Sequence, residues 1–336
     1  MIATWATSFA ETSVEQIILT LTRWTGQTHQ HLVDDKIQYD VAHSKDPAMS
    51  SSIAKLRARL LRGVLASASR LAPGPTGRFL ARRFVTPAAA GRRQAAGLAA
   101  QLPDAHRQNL RIDGVDIAVY RWGDPAQQPY VLLSHGWASY GLRFAAWVPQ
   151  LRALGYAVVA FDQAAHGLSG GRISNMPHFV RILRDIGGRH GRPAVLIGHS
   201  LGAAAAVFAD DPAWRPARYV LIAPLLAPAQ SAQRQFRAFG IAPGTFAPFE
   251  NWLHQLTGKR FADFDATPRL PHFGDRPALI IHDRRDRETP WEEGARFAAL
   301  WPGAQLVSTE GLGHNRMVDH ASVIDQALQF IGPASL

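Results

Sequence analysis

The chain of 336 residues contains no cysteine. That excludes a disulfide framework, a thiolate metal site and a cysteine nucleophile. Long hydrophobic runs are missing as well. Near the start, in "MIATWATSFAETSVEQIILTLTRW", the apolar stretch Ile17–Leu21 is too short to span a bilayer or form a signal-peptide core, and no basic region precedes it. A cytoplasmic location is the resulting expectation. Acidic residues are nearly absent from one segment: residues 51–107 hold eleven Lys/Arg against the single Asp104, a balance of +10. Residues 1–50 carry −3, so the remainder of the chain is close to neutral. The high pI therefore belongs to one segment. Few aromatics are interleaved with its bases, which argues against nucleic acid as a partner. Dinucleotide glycine fingerprints and P-loops are also missing, so no cofactor is expected, and no ligand spacing for a metal is found.

What is present falls into three regions. Residues 1–50 are polar and weakly patterned and read as a tail. Residues 51–108 are helical and basic. Within them Ile53, Leu56, Leu60 and Val64 recur at helical spacing as one stripe, with Lys55, Arg59 and Arg62 on the opposite face and Arg57 beside it. Such a helix either docks on protein with its charged face in water or lies on an anionic membrane surface. Residues 109–336 form the third region, where strands and helices alternate. A hairpin around Asp113-Gly114 opens it, and the apolar runs "YVLLSHG", "YAVVAFDQ", "AVLIGHS", "RYVLIAP", "PALIIHD" and "AQLVSTE" follow, most of them separated by helix-like stretches. Continuously apolar strands alternating with helices imply a mostly parallel sheet covered on both faces, an α/β fold with one antiparallel strand near an edge. Residues 225–276 break the rhythm. They hold Phe236, Phe239, Phe246, Phe249, Trp252, Phe261 and Phe264, a composition that suits a lid or plain packing mass.

The stretch "VLIGHSLGAAAAVF" (195–208) carries the chemistry. A strand that enters a helix through Gly-x-Ser-x-Gly makes a sharp turn holding the Ser200 hydroxyl above the sheet edge, with Gly198 and Gly202 where a Cβ would clash. The Leu201 N–H then sits at a helix N-terminus, placed to stabilise an oxyanion. Serine at neutral pH needs a base and an orienting acid. Two later loops, "HDRRDRETP" and "GLGHNRM", offer Asp283 or Asp286 and then His314, in the chain order Ser, acid, His.

From about residue 109 to 332 the chain resembles the α/β-hydrolase fold family, through "SHGW", "FDQAAHGLS", "GHSLG", "HDRRDRETP" and "GLGHNRM" in order, each at the end of a strand. The resemblance implies Ser200 as nucleophile, His314 as base and Asp286, four residues before Pro290, as acid, with Asp283 the lesser candidate. It also implies Trp137 as the second oxyanion donor through its backbone N–H, because an HGGG motif is lacking. His199 and His135 are expected to support their loops, and Asp162 and His166 to tie the loop after the fourth strand. The implied activity is hydrolysis of a small-molecule carboxylic ester with an apolar group through an acyl-enzyme. Acyl transfer and thioester, amide or carbon–carbon cleavage use the same residue types. A peptidase for free N-termini would need a carboxylate such as Glu250, Asp263 or Asp265. A non-catalytic protein that docks on a membrane or partner through residues 51–108 is the competing class.

Overall fold

The computed structural model describes residues 47–102 and 104–334, with side chains from residue 58 onward. Most of the expected tail therefore lies outside the described residues, and from Pro47 the chain is already helical. Before the sheet come helices α1 (Pro47–Leu71), α2 (Pro73–Phe84) and α3 (Ala89–Ala99). Strands β1 (His106–Ile112) and β2 (Val115–Trp122) form the hairpin, followed by β3 (Tyr130–Ser134), α4 (Val148–Ala153) and β4 (Ala157–Phe161). Next are α5 (Met176–Gly188), β5 (Val195–His199), α6 (Leu201–Ala209) and β6 (Arg218–Ile222). Helices α7 (Pro228–Ala238) and α8 (Phe246–Thr257) occupy the aromatic insertion. The chain closes with β7 (Ala278–Asp283), α9 (Trp291–Leu300), β8 (Ala304–Thr309), the one-turn α10 (Gly313–Arg316) and α11 (Ala321–Ile331).

Two compact units are distinguished, one of residues 85–231 and 261 onward, the other of residues up to 84 with 232–260. The first contains an eight-stranded sheet in the order β1-β2-β4-β3-β5-β6-β7-β8. Strand β2 runs antiparallel to both of its neighbours, and the remaining pairings are parallel. Asp113 (φ 49°) and Gly114 (φ 73°) turn the hairpin in the left-handed conformation that matches strand twist.

Alternation along the central strands explains why they read as unbroken apolar runs. In β3, Tyr130 and Leu132 join one core cluster while Val131 and Leu133 join another, and Val159 and Phe161 are split from Val158 and Ala160 in β4 in the same way. Helices α5, α6 and α9 cover the first cluster; α3, α4 and α11 cover the second. Parallel strands roofed on both faces leave polar side chains to their carboxyl ends, where Ser134, His199, His282 and Asp283 lie.

The second unit differs from the sequence expectation in the face its first helix buries. Leu61, Leu65 and Ser69 face inward on α1, whereas Leu60 is 54% exposed and Val64 half-buried. The side chains of Ile53 and Leu56 lie outside the described residues. Ser69 explains the choice of row: its Oγ donates to Ala66 O (2.8 Å) and accepts from Ala242 N (2.9 Å), and its carbonyl accepts from Thr245 Oγ1 (3.2 Å). Helix α2 meets the start of α8 at Gly77, where a Cβ would lie 2.8 Å from Thr245 O and Phe249 N. The insertion's aromatics fill this unit's own core. Phe249 is fully buried, 5.0 Å from Phe236 and 5.8 Å from Phe246 between ring centroids. Phe264, in the other unit, packs against Phe208 instead.

Candidate active site

Strand register brings the site loops together. In β3 and β5, Ser134 pairs with Gly198, so the loops that follow leave the sheet edge side by side. In β7 and β8, Asp283 pairs with Thr309, which does the same for the loops carrying Asp286 and His314. Between β5 and α6 sits Ser200 at φ 52°, ψ −117°, a conformation that costs a non-glycine residue about 1–3 kcal/mol. Its amide donates to Ile222 O (2.9 Å) and its carbonyl accepts from Ala204 N (3.0 Å), fixing the turn from both sides. A Cβ on Gly198 would lie 2.7 Å from Ala203 Cα, and one on Gly202 would collide with the carbonyl oxygens of Ser134 and His135. Only glycine fits at either end of this turn. Ala138, Ala165 and Ala223 also adopt positive φ, after β3, β4 and β6, so backbone strain gathers at the carboxyl edge of the sheet.

Ser200 Oγ lies 2.9 Å from His314 Nε2, and His314 Nδ1 lies 2.7 Å from Asp286 Oδ2. All three side chains are buried. A carboxylate can only accept, so Nδ1 carries the proton and Nε2 is left to accept from the serine hydroxyl. Burial pushes His314 below the usual imidazole range, against the pull of Asp286, which keeps the ring neutral and basic at pH 7. Burial would raise Asp286, but hydrogen bonds from His282, His314 and the Thr289 amide overcome it and hold the carboxyl well below the usual range. Its Oδ1 accepts from the amides of Glu288 (2.8 Å) and Thr289 (3.0 Å).

Asp283, the other acid weighed from sequence, is placed elsewhere. Its carboxylate accepts from Arg285 N (2.9 Å), Thr309 Oγ1 (2.8 Å), Gly311 N (3.2 Å) and Leu312 N (2.9 Å). It anchors the loop that carries His314, and Asp286 is the acid that meets the imidazole. His199 supports the same histidine from below: Nε2 donates to His314 O (3.0 Å), with ring centroids 4.8 Å apart.

Sequence reasoning passed over His282. Its Nε2 donates to Thr289 O (2.9 Å) and lies 3.3 Å from Asp286 Oδ2, both side chains being fully buried. Gly294 makes room for the ring, since a Cβ there would strike it. A histidine four residues before an acid forms no recognisable pattern in a turn, so only its coordinates expose it.

The loop after β3 closes over the serine. At Gly136 a Cβ would be 3.1 Å from Ser200 Cβ and 3.0 Å from His199 Nδ1, which brings the residue preceding Trp137 against the hydroxyl-bearing side chain. His135 Nδ1 donates to Gly136 O (2.7 Å) and its Nε2 accepts from Gln163 N (2.9 Å). Burial lowers its pKa to about 4, consistent with a neutral ring that both donates and accepts. His166 accepts from Ala138 N (3.0 Å) and donates to Ala164 O (2.9 Å), while Asp162 accepts from Gly141 N, Leu168 N and Tyr120 Oη. Trp137 lies over this frame, its ring centroid 5.0 Å from His166 and 6.3 Å from Phe179. Leu201 opens α6, so its amide belongs to the helix N-terminus beside Ser200. Of the insertion acids, Asp265 caps its own turn by accepting from Thr267 N (2.9 Å), and Glu250 lies 4.0 Å from Arg260 within the second unit.

A mostly parallel eight-stranded sheet with a strained serine elbow at its carboxyl edge is matched in solved structures. A putative lipase from Acinetobacter baumannii superposes with a TM-score of 0.54 at 19% identity, covering 71% of this chain and 93% of that one. The chain has the α/β-hydrolase fold. Alpha/beta hydrolase domain-containing protein 10 from mouse gives 0.53 at 20% identity over 68% of this chain and 97% of that one. Within the fold, a family model described as serine aminopeptidase, S33, matches residues 125–288, a span that holds Ser200 and Asp286 and ends before His314. Similarity to a pyrethroid hydrolase from Sphingobium wenxiniae reaches 40% identity over 77 residues, 22% of this chain and 28% of that protein. The match thus spans little more than a quarter of that relative.

Proposed function

We infer that the protein is a serine hydrolase that cleaves carboxylic esters through an acyl-enzyme. The observation that carries this reading is the unbroken relay from Ser200 Oγ to His314 Nε2 (2.9 Å) and from His314 Nδ1 to Asp286 Oδ2 (2.7 Å). Ser200 Oγ attacks the ester carbonyl carbon as its proton passes to His314 Nε2. The developing oxyanion is taken by the backbone N–H groups of Leu201 and Trp137. His314 returns the proton to the alcohol oxygen as the carbon–oxygen bond breaks, and Asp286 stabilises the imidazolium in between. Water then attacks the acyl-enzyme, giving its proton to His314. Collapse of that second intermediate frees the acid and restores the serine. Trp137, half-buried beside the β3 loop with Phe179 packed behind it, supports an apolar group on the substrate. So does the partial similarity to a pyrethroid hydrolase.

Nitrophenyl esters from acetyl to palmitoyl, assayed with wild type and Ser200→Ala side by side, test the proposal. Turnover that vanishes in the variant is expected, with the acyl-length profile sizing the site. Turnover that survives in Ser200→Ala would refute the mechanism. Aminoacyl nitroanilides in the same assay address the reading favoured by the serine aminopeptidase model: cleavage of these in preference to esters would reassign the substrate class while keeping the nucleophile.

A further inference from the structure

Helix α1 carries two apolar rows, and its packing accounts for one of them. Leu61 and Leu65 turn inward with Ser69. Leu60, Val64 and Leu71, at i, i+4 and i+11, form a second row on the solvent flank, with the small, exposed Ser67 between them. Leu60 is 54% and Leu71 86% exposed, and among the described residues the other large hydrophobic side chain this open to solvent is Leu256. Arg59 and Arg70 border this row on its outer side, with Arg62 further round the helix, and all three are exposed. Arg70 lies along its own helix, donating to Ala66 O (2.8 Å), and Arg62 lies 5.5 Å over the Phe239 ring, so these guanidinium groups stay close to the helix surface.

The surrounding charge has one sign. Residues 58–84 contain six arginines and no acid, and residues 232–260 add four Lys/Arg against the single Glu250, which Arg260 approaches to 4.0 Å. A field of that sign attracts an anionic surface. Exposed leucines beside the arginines narrow the choice of surface. Nucleic acid would use the arginines and give the leucines nothing to bury, whereas a bilayer takes both, the leucines into the acyl boundary and the arginines at the headgroups.

We propose that the exposed face of α1, made by Leu60 and Leu71 with Arg59 and Arg70 along its border, docks the protein on the surface of a bilayer containing anionic lipid. The helix lies in the interface and does not cross it; among the described residues no helix is long and apolar enough to do so. The readout is binding, so this proposal stands or falls separately from ester hydrolysis.

Flotation of the full-length protein with phosphatidylcholine vesicles, and with vesicles containing about one quarter phosphatidylglycerol, tests it. Binding to the anionic vesicles alone is expected, and it should fade in high salt because exposed charges are screened. At roughly 1 kcal/mol per arginine near the surface, Arg59→Gln/Arg70→Gln should weaken partitioning about 30-fold. Leu60→Ser/Leu71→Ser should weaken it about tenfold through lost apolar burial. Equal binding to neutral vesicles, or no binding to anionic ones, would overturn the proposal. Loss with the arginine variant but no change with the leucine variant would overturn it too, because the leucines would then not enter the bilayer.

Discussion

Two aspartates three residues apart have opposite expected phenotypes. Asp286→Asn keeps the shape of the side chain and the amide contacts of Oδ1; it gives up some stability, because the native state favours the charged carboxylate, but its main effect is on catalysis. What it removes is the acceptor that holds the proton on His314 Nδ1, 2.7 Å away. With an amide in that place the imidazole is no longer held in the tautomer that leaves Nε2 free for Ser200, and kcat should fall by about 10⁴. Asp283→Asn inverts the pattern. That carboxylate receives four donors, from Arg285, Thr309, Gly311 and Leu312. An asparagine retains one oxygen and turns an NH₂ group on donors facing the other. Replacing charged by neutral acceptors at about 1 kcal/mol each gives a loss of roughly 2–4 kcal/mol. For a unit of this size that corresponds to a drop in Tm of roughly 5–15 °C. Activity should fall only to the extent that the loop carrying His314 shifts, about tenfold at most. Thermal melts and ester turnover on both variants decide the matter. If Asp283→Asn is as inactive as Ser200→Ala while Asp286→Asn still turns over, the acid has been misassigned.

His282→Phe should lower kcat about tenfold with KM unchanged, since a hydrogen bond to a charged group is worth about 1.5–3 kcal/mol and this one acts through Asp286. His282→Gln, which can place an N–H in the same direction, should recover most of it; equal loss in both variants would mean the ring only fills space beside Gly294. Acid should weaken the fold through the buried histidines. His135, His166, His199 and His314 are all lowered, first by burial, so between pH 6.5 and their folded values the unfolded chain binds protons that the native state refuses. Stability is full above about pH 6.5 and declines below it. His135, at about 4, alone accounts for about 3 kcal/mol across that window. Chemical denaturation at pH 7.5, 6 and 5 measures the decline, and a flat profile would refute it. With His314 as the proposed base, the acid limb of kcat/KM should likewise lie below the ordinary imidazole pKa.

The parts of this fold that were legible in the sequence are those where local chemistry leaves one solution. Asp113-Gly114 can turn a tight hairpin because both positions tolerate positive φ. The unbroken apolar runs leave no solvent face, which fixes a roofed parallel sheet with β2 as its antiparallel member. Gly198 and Gly202 bracket a serine because a Cβ at either position meets backbone within the same turn or the next strand's loop. Each of these is a constraint that a few adjacent residues impose on one another.

Where two local solutions were equally good, sequence periodicity failed. In α1 the rows containing Leu60 and Leu61 are both apolar, and a helical repeat favours neither. The row that turned inward is the one ending in Ser69, whose hydroxyl and carbonyl engage Ala242 and Thr245 some 170 residues along the chain. The insertion's phenylalanines were ambiguous in the same way: composition suits a lid or plain packing mass, and only the approach of α2 to α8 at Gly77 gives Phe236, Phe246 and Phe249 a core of their own to fill. His282 is the sharpest case. Its value lies in a 3.3 Å approach to Asp286 through a turn that Thr289 and Gly294 shape, and none of the three residues is unusual alone. The site is therefore readable down to its relay, because the relay needs particular residue types in a particular order. The groups that hold the relay in place are not readable, because many residue types could do so and distance alone selects among them.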